Sequence, residues 1–171
     1  MGKEKVSIGN NEQERLARLY GYSNIDKYEL KGTFQHVVST AALAFDVPMA
    51  FVNLVEMENI LIKASVGFDG NQRIAREIGL CSLAILKDEF TVYKDTHKEI
   101  ELKGNPMVHG EFGLGFYAAA PLKTPDGFNI GVVAIADKAP REFSEEDGRL
   151  LEGLASIVME ELEYRLEHRK N

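Results

Sequence analysis

Cys81 is the single cysteine of the chain and the one side chain with intrinsic nucleophilic chemistry. The segment Leu80 to Lys87 reads as a short amphipathic helix. Cys81 then sits near its start, where the helix dipole lowers a thiol pKa and favours the reactive thiolate. The competing reading is a small buried residue filling a gap, the commonest use of a lone cysteine. A disulfide-exchange cycle also needs a resolving thiol, and the sequence offers none. The four histidines, His36, His97, His109 and His168, are scattered. With no HExxH and no CxxC pair, they do not supply the converging ligands that zinc requires. There is no GxSxG nucleophile elbow and no GxxxxGK phosphate loop. Gly113-Leu114-Gly115 matches part of a dinucleotide fingerprint, but Ala118 stands at the third glycine position. The run also leads into a strand rather than following one, so no dinucleotide site is expected.

Composition narrows the classes further. The 171 residues are 44% hydrophobic and 27% charged, enough for one well-filled core and one domain. A formal charge of -7 with no basic run before the last residues disfavours nucleic acid, whose affinity comes largely from basic patches. No apolar run approaches bilayer length, and Met1 to Asn11 lacks the apolar core of a signal peptide. With a lone cysteine that fits a reducing compartment, the expectation is a soluble cytoplasmic protein, with neither nucleic acid nor membrane as partner.

The elements that would position such side chains follow from periodicity. Residues 1–10 are polar and are expected to be poorly ordered. Asn11 with Glu14 fits a capping box ahead of a first helix that Gly21 would end in a left-handed turn. Phe34, Val37, Val38, Ala41, Ala42 and Phe45 recur at helical spacing, with His36 on the solvent side. Pro48 stops this second helix. Met49 to Glu56 reads as a buried strand in a hairpin with Ile60 to Val66, placed toward a sheet edge, with Ile60, Ile62, Ala64 and Val66 on one face. A short strand near Arg73 to Ile78 and another at Thr91 to Tyr93 follow. Lys94 to Gly115 is long for a loop and has the character of a binding loop or lid. Phe116 to Leu122 and Phe128 to Asp137 form a hairpin across Thr124-Pro125-Asp126-Gly127. Parity puts Phe128, Ile130, Val132, Ala134 and Ala136 on one face of its second strand. Both faces are largely apolar, so both need covering. Ser144 and Asp147 cap a last helix whose apolar residues exceed one stripe, which calls for a second partner, either the same helix in another subunit or the first helix of the same chain.

The blocks Glu14-Arg15-Leu16-Ala17-Arg18-Leu19-Tyr20, Val47 to Val55, Leu80-Cys81-Ser82-Leu83-Ala84-Ile85, Asn105-Pro106-Met107-Val108, Phe116 to Leu122 and Pro125-Asp126-Gly127 resemble successive landmarks of bacterial GAF domains. The resemblance spans roughly Glu14 to Arg169. It implies an α+β (α/β sandwich) fold with residues 11–171 as a single domain. Its central antiparallel sheet would have about five or six strands, with the N- and C-terminal helices packed on one face and loops and short helices over the other. Family members that bind ligands hold them under the loops.

Carried over residue by residue, the cyclic-nucleotide pattern of the family reads Asp137-Lys138, Phe143, Asp147 and Gly148 here, so its middle matches and both ends depart. Lys138 and Asp147 would form a structural ion pair beneath the pocket, with helix capping as the other use of Asp147. In the bilin-binding pattern, Cys81 is followed by Ser82, and Leu83 stands where a histidine is frequent. Family reductases of free methionine sulfoxide use several cysteines, and this chain has one. The reading is therefore a non-enzymatic sensory or regulatory module, homodimeric through its terminal helices, with an unidentified small-molecule ligand, a signalling partner protein and no cofactor named. Candidate ligand-binding residues are Phe51, Cys81, Asp95, Met107, Phe112, Phe116 and Tyr117. Two alternatives stand beside it: a thiol-dependent enzyme or redox sensor using Cys81, and a ligand-free dimerisation module.

Overall fold

The computed structural model describes residues 11–22, 32–70 and 72–168; the segment 1–10, expected to be poorly ordered, lies outside them. Besides short 3-10 turns, five α-helices and six strands are described: α1 (Glu12–Gly21), α2 (Thr33–Phe45), β1 (Met49–Val55), β2 (Asn59–Val66), β3 (Arg73–Ala75), α3 (Cys81–Ala84), β4 (Thr91–Tyr93), α4 (Pro106–His109), β5 (Phe116–Lys123), β6 (Asn129–Asp137) and α5 (Glu145–His168). The strands form one antiparallel sheet in the order β3-β2-β1-β6-β5-β4. This is the expected α+β sandwich. No helix among the described residues is long and apolar enough to cross a membrane.

The centre of the sheet is β1 beside β6, with Met49 opposite Ala136 and Leu54 opposite Gly131. This corrects the placement of the first hairpin near an edge. Every residue of β1 is buried, which an edge strand would not need, and only β2 and β3 lie outside it. On the back face α1, α2 and α5 share one core with Leu16, Phe34, Val38, Leu151, Val158 and Leu162 against Phe116, Ala118 and Ala120 of β5. On the front face β1, β2, β5 and β6 carry a second core under α3, α4 and the loops.

Two bulges decide which side chains reach which core. Between β1 and β2 the register steps from Val52↔Ala64 to Asn53↔Ile62, with Lys63 inserted. Ile60 and Ile62 therefore face the front while Ala64 and Val66 face the helices, although strict alternation puts all four together. Between β5 and β6 the register steps from Leu122↔Gly131 to Lys123↔Asn129, with Ile130 inserted. Ile130 turns to the helices, and Val132, Ala134 and Ala136 stay in front. An inserted residue shifts parity by one, so simple alternation fails beyond it.

The helix ends differ in how well they follow their signals. Asn11 has a left-handed φ of 63° and makes no side-chain cap, because capping needs the extended backbone that aims the side chain at the first turn. The helix also runs through Gly21 to Tyr22, at φ -95°, and the Tyr22 hydroxyl donates to Glu163 of α5. Ser144 and Asp147 form the expected reciprocal cap: Ser144 N–H donates to Asp147 Oδ2 at 2.9 Å and Asp147 N–H to Ser144 Oγ at 3.0 Å. Pro121 sits on β5 beyond the reach of β4, which pairs only with Tyr117 to Ala119, so its missing donor interrupts no ladder bond on that side.

A Cβ on Gly131 would lie 2.1 Å from the Asn53 carbonyl oxygen, a backbone atom in the centre of the sheet that cannot move aside. Gly131→Ala is expected to cost about 3 kcal/mol in urea unfolding, against about 1 kcal/mol for Ser144→Ala. Equal losses for the two variants would refute the close central packing.

Candidate functional site

The front core lines a partly open cavity of about 50 Å³. β1 contributes Phe51 and Asn53 to its wall, β2 contributes Ile60 and Ile62, β5 contributes Tyr117 and β6 contributes Ala136. Gly79, Leu80 and Cys81 close one side, and Met107, Phe112 and Leu114 close another. Phe68 bridges two of these walls, edge-on to Phe51 at 5.5 Å and to Phe112 at 6.1 Å between ring centroids, the arrangement aromatic quadrupoles prefer. Phe68, Met107 and Phe112 are only half-buried, so the roof is the side that can yield.

Three polar groups interrupt this apolar lining. Asn53 Nδ2 donates to Cys81 Sγ at 3.9 Å, whereas Asn53 Oδ1 has no hydrogen-bond partner among the described residues. The Tyr117 hydroxyl meets no partner at full hydrogen-bond geometry among the described residues, its one polar interaction being a weak one with the Cys81 thiol. Asn53 and Tyr117 are 7% and 6% exposed. A buried polar atom left without a partner costs about 1–3 kcal/mol, so two at one cavity are a cost that a bound molecule can relieve. Burial also raises the Tyr117 hydroxyl well above its ordinary pKa, keeping it protonated and able to donate.

The candidate residues divide accordingly. Phe51, Cys81, Met107, Phe112 and Tyr117 are brought together at the cavity. Phe116 is not: its strand parity is opposite to that of Tyr117, and it packs on Phe143 at 5.8 Å among the helices. Asp95 is not at the wall either. It caps the turn Thr96–Lys98 by accepting from His97 N–H at 3.2 Å. The expected ion pair of Lys138 and Asp147 is not formed. Asp147 is taken by the α5 cap, and the Lys138 ammonium lies 5.3 Å from the centroid of the Phe112 ring, on the outside of the roof. Asn53 was not among the candidates, though a signal existed: it is the one polar residue in the run Met49 to Val55.

A model of the GAF domain family matches residues 28–163. The chain belongs to the GAF domain family. Over 127 residues it is 32% identical to a cyclic di-GMP phosphodiesterase of Pseudomonas aeruginosa, a match covering 74% of this chain. The chain spans only 22% of the length of that relative. Among solved structures, the GAF domain of an Acinetobacter phosphoenolpyruvate-protein phosphotransferase superposes with a TM-score of 0.66 at 18% identity, covering 94% of this chain and 98% of that one. A free methionine-R-sulfoxide reductase from Neisseria meningitidis superposes with a TM-score of 0.62 at 19% identity, covering 91% and 93%. At these identities the two structures share the fold.

In this GAF domain the thiol is not activated. Cys81 is 3% exposed, and α3 has only four residues, too short for much of a dipole. Burial pushes the thiol pKa up to about 12, outweighing the hydrogen bond from Asn53. Because the folded value lies above the unfolded one, the contribution to stability is complete below pH 9 and is lost as pH rises toward 12. Urea titrations should therefore show the parent protein losing on the order of 2 kcal/mol more than Cys81→Ala between mildly alkaline and strongly alkaline buffer. A thiol reagent near neutral pH should react only as fast as the fold opens. Rapid labelling of the folded protein would contradict the burial argument.

Proposed function

We propose that this GAF domain is a non-catalytic sensing module that takes a small molecule in its front cavity and works as a homodimer through α5. The observation that carries the reading is the partly open, mostly apolar cavity with two buried polar atoms, Asn53 Oδ1 and the Tyr117 hydroxyl, that meet no partner at full hydrogen-bond geometry among the described residues. Ligand sites have this composition, mostly apolar walls with a few convergent polar groups. The lone, buried and protonated Cys81 argues against thiol chemistry in this chain. The similarity to the phosphodiesterase covers 22% of that enzyme and is read here as a shared regulatory module rather than as its activity.

The dimer reading rests on α5. Leu150, Ile157 and Tyr164 are 48%, 45% and 58% exposed and recur every seventh residue. A seven-residue apolar repeat left uncovered by its own sheet is the seam by which two helices pack along their length, and a second copy presents the same stripe in a self-complementary way. β5 links the two regions. Its Tyr117 and Ala119 face the front core, while Phe116, Ala118 and Ala120 between and beside them face the helices. Phe116 touches Phe143, which precedes the Ser144 cap of α5. A ligand with unequal affinity for two settings of β5 would thus bias α5 and, through it, a partner protein or adjoining domain.

Methyl NMR against a library of small fragments tests the cavity: hits should shift the methyls of Ile60, Ile62, Met107 and Leu114 together. A screen whose hits all fall elsewhere would overturn the cavity reading. Sedimentation velocity at micromolar concentration should show a dimer that Ile157→Asp converts to a monomer with the same helical content. A monomeric parent protein would remove the dimer from the proposal.

A further inference from the structure

We infer that the front cavity selects an uncharged ligand: a compact apolar body bearing one hydroxyl, amide or carbonyl group, held between Asn53 and Tyr117. The inference rests on the reading of this cavity as a ligand site. No Asp, Glu, Lys, Arg or His contributes to the cavity among the described residues. Two charged side chains close by, Arg76 and Lys138, are engaged outside it. Arg76 is buried just ahead of Gly79, but its guanidinium binds Glu12 at 2.6 Å and the carbonyl oxygen of Glu56 at 3.1 Å. Lys138 is exposed and lies against the Phe112 ring. A carboxylate, ammonium or phosphate placed inside would lose its hydration and meet no charged group on the wall, and Arg76, whose charge reaches Cys81, is already paired with Glu12, so the burial is costly.

The polar atoms present fit a neutral head group instead. A tyrosine hydroxyl donates or accepts, and an asparagine amide offers its oxygen or its nitrogen by a half-turn. The pair can therefore satisfy a hydroxyl, a carbonyl or both atoms of an amide. Both side chains are more than nine-tenths buried, and each has an atom with no partner at full hydrogen-bond geometry among the described residues, so a neutral head group relieves a deficit already present in the fold. Size sets the other limit. A cavity of about 50 Å³ exceeds the roughly 10–15 Å³ one water needs and falls below the ~150 Å³ that holds benzene. A branched aliphatic body fits once the half-buried Met107 and Phe112 give way. Nucleotides and zwitterionic amino acids are refused on charge, and the former also on size.

Three probes of matched shape separate these terms: isobutyramide, isobutyrate and 2,3-dimethylbutane. Methyl NMR titrations near neutral pH should show isobutyramide shifting Ile60, Ile62, Met107 and Leu114. Isobutyrate should bind roughly tenfold more weakly or not at all. The hydrocarbon should fall below the amide by a smaller factor, and Tyr117→Phe, which removes only the hydroxyl, should narrow that gap. Asn53→Leu should narrow it as well. If isobutyrate binds as tightly as the amide, the charge rule is overturned while the cavity remains a ligand site. If the hydrocarbon matches the amide, the head-group assignment is overturned and the apolar cavity alone survives. If none of the three shifts these methyls, the ligand class is wrong, and the fragment screen decides separately whether the cavity binds anything.

Discussion

β1, β5 and β6 bury both of their faces, and a sheet with no polar side has to be covered twice. The two covers are built differently, and the rest of the molecule follows from that difference. On the back, α1, α2 and α5 present regular apolar stripes that fill their core with Phe34, Leu151 and Leu162, each no more than 1% exposed. On the front, α3 and α4 have four residues each, and the remainder is loop and single helical turns. Short elements cannot match a flat sheet as closely as a long helix can, so a close-packed back and a cavity-bearing front are the natural outcome.

Holding irregular chain against a sheet requires polar anchors, and these are placed around the cavity rather than in it. Glu12 of α1 is shared by Arg15 and Arg76, with Nη2 of Arg15 at 2.9 Å and Nη1 of Arg76 at 2.6 Å from Oε2. Burial alone would raise the Glu12 carboxyl, but the hydrogen bonds from the two guanidiniums outweigh it and hold the pKa below its ordinary value. Arg76 also carries the chain into Gly79 and Cys81, and Ser82 Oγ donates back to the Arg76 carbonyl oxygen at 2.6 Å. Asn129 does the same for the far end of α3, donating to the carbonyls of Ile85 and Lys87, both at 3.0 Å. With these anchors committed to the loops, Asn53 Oδ1 and the Tyr117 hydroxyl stand at the cavity wall without a partner at full hydrogen-bond geometry among the described residues.

Much of this was legible in the sequence, and the misses have particular causes. The apolar run Phe116 to Leu122 and the turn at Pro125-Asp126-Gly127 announced the hairpin, and Ser144 with Asp147 announced the start of α5, because both signals are local and their geometry is met within a few residues. Strict alternation groups Ile130 with Val132 and groups Ala64 and Val66 with Ile62, and the structure separates them, since a bulge is a property of the strand pair and neither strand alone records the inserted residue. Asn11 looked like a cap but took a left-handed backbone conformation. Asp147 could serve a helix cap or an ion pair with Lys138, and the cap prevailed because its partners lie within three residues while Lys138 found the Phe112 ring.

The candidate site divides along the same line. Sequence by itself determined the family pattern, the two-sided burial of the central strands and the absence of a second thiol, because these depend on composition and on order along the chain. Only the tertiary structure decided that Cys81 is shielded rather than activated, that Phe116 belongs to the helices while Tyr117 belongs to the cavity, and that Asn53 stands beside Cys81. The physical reason is that desolvation and hydrogen-bond satisfaction depend on what surrounds a group in space. The neighbours of Asn53 that matter here lie 28 and 64 positions away along the chain.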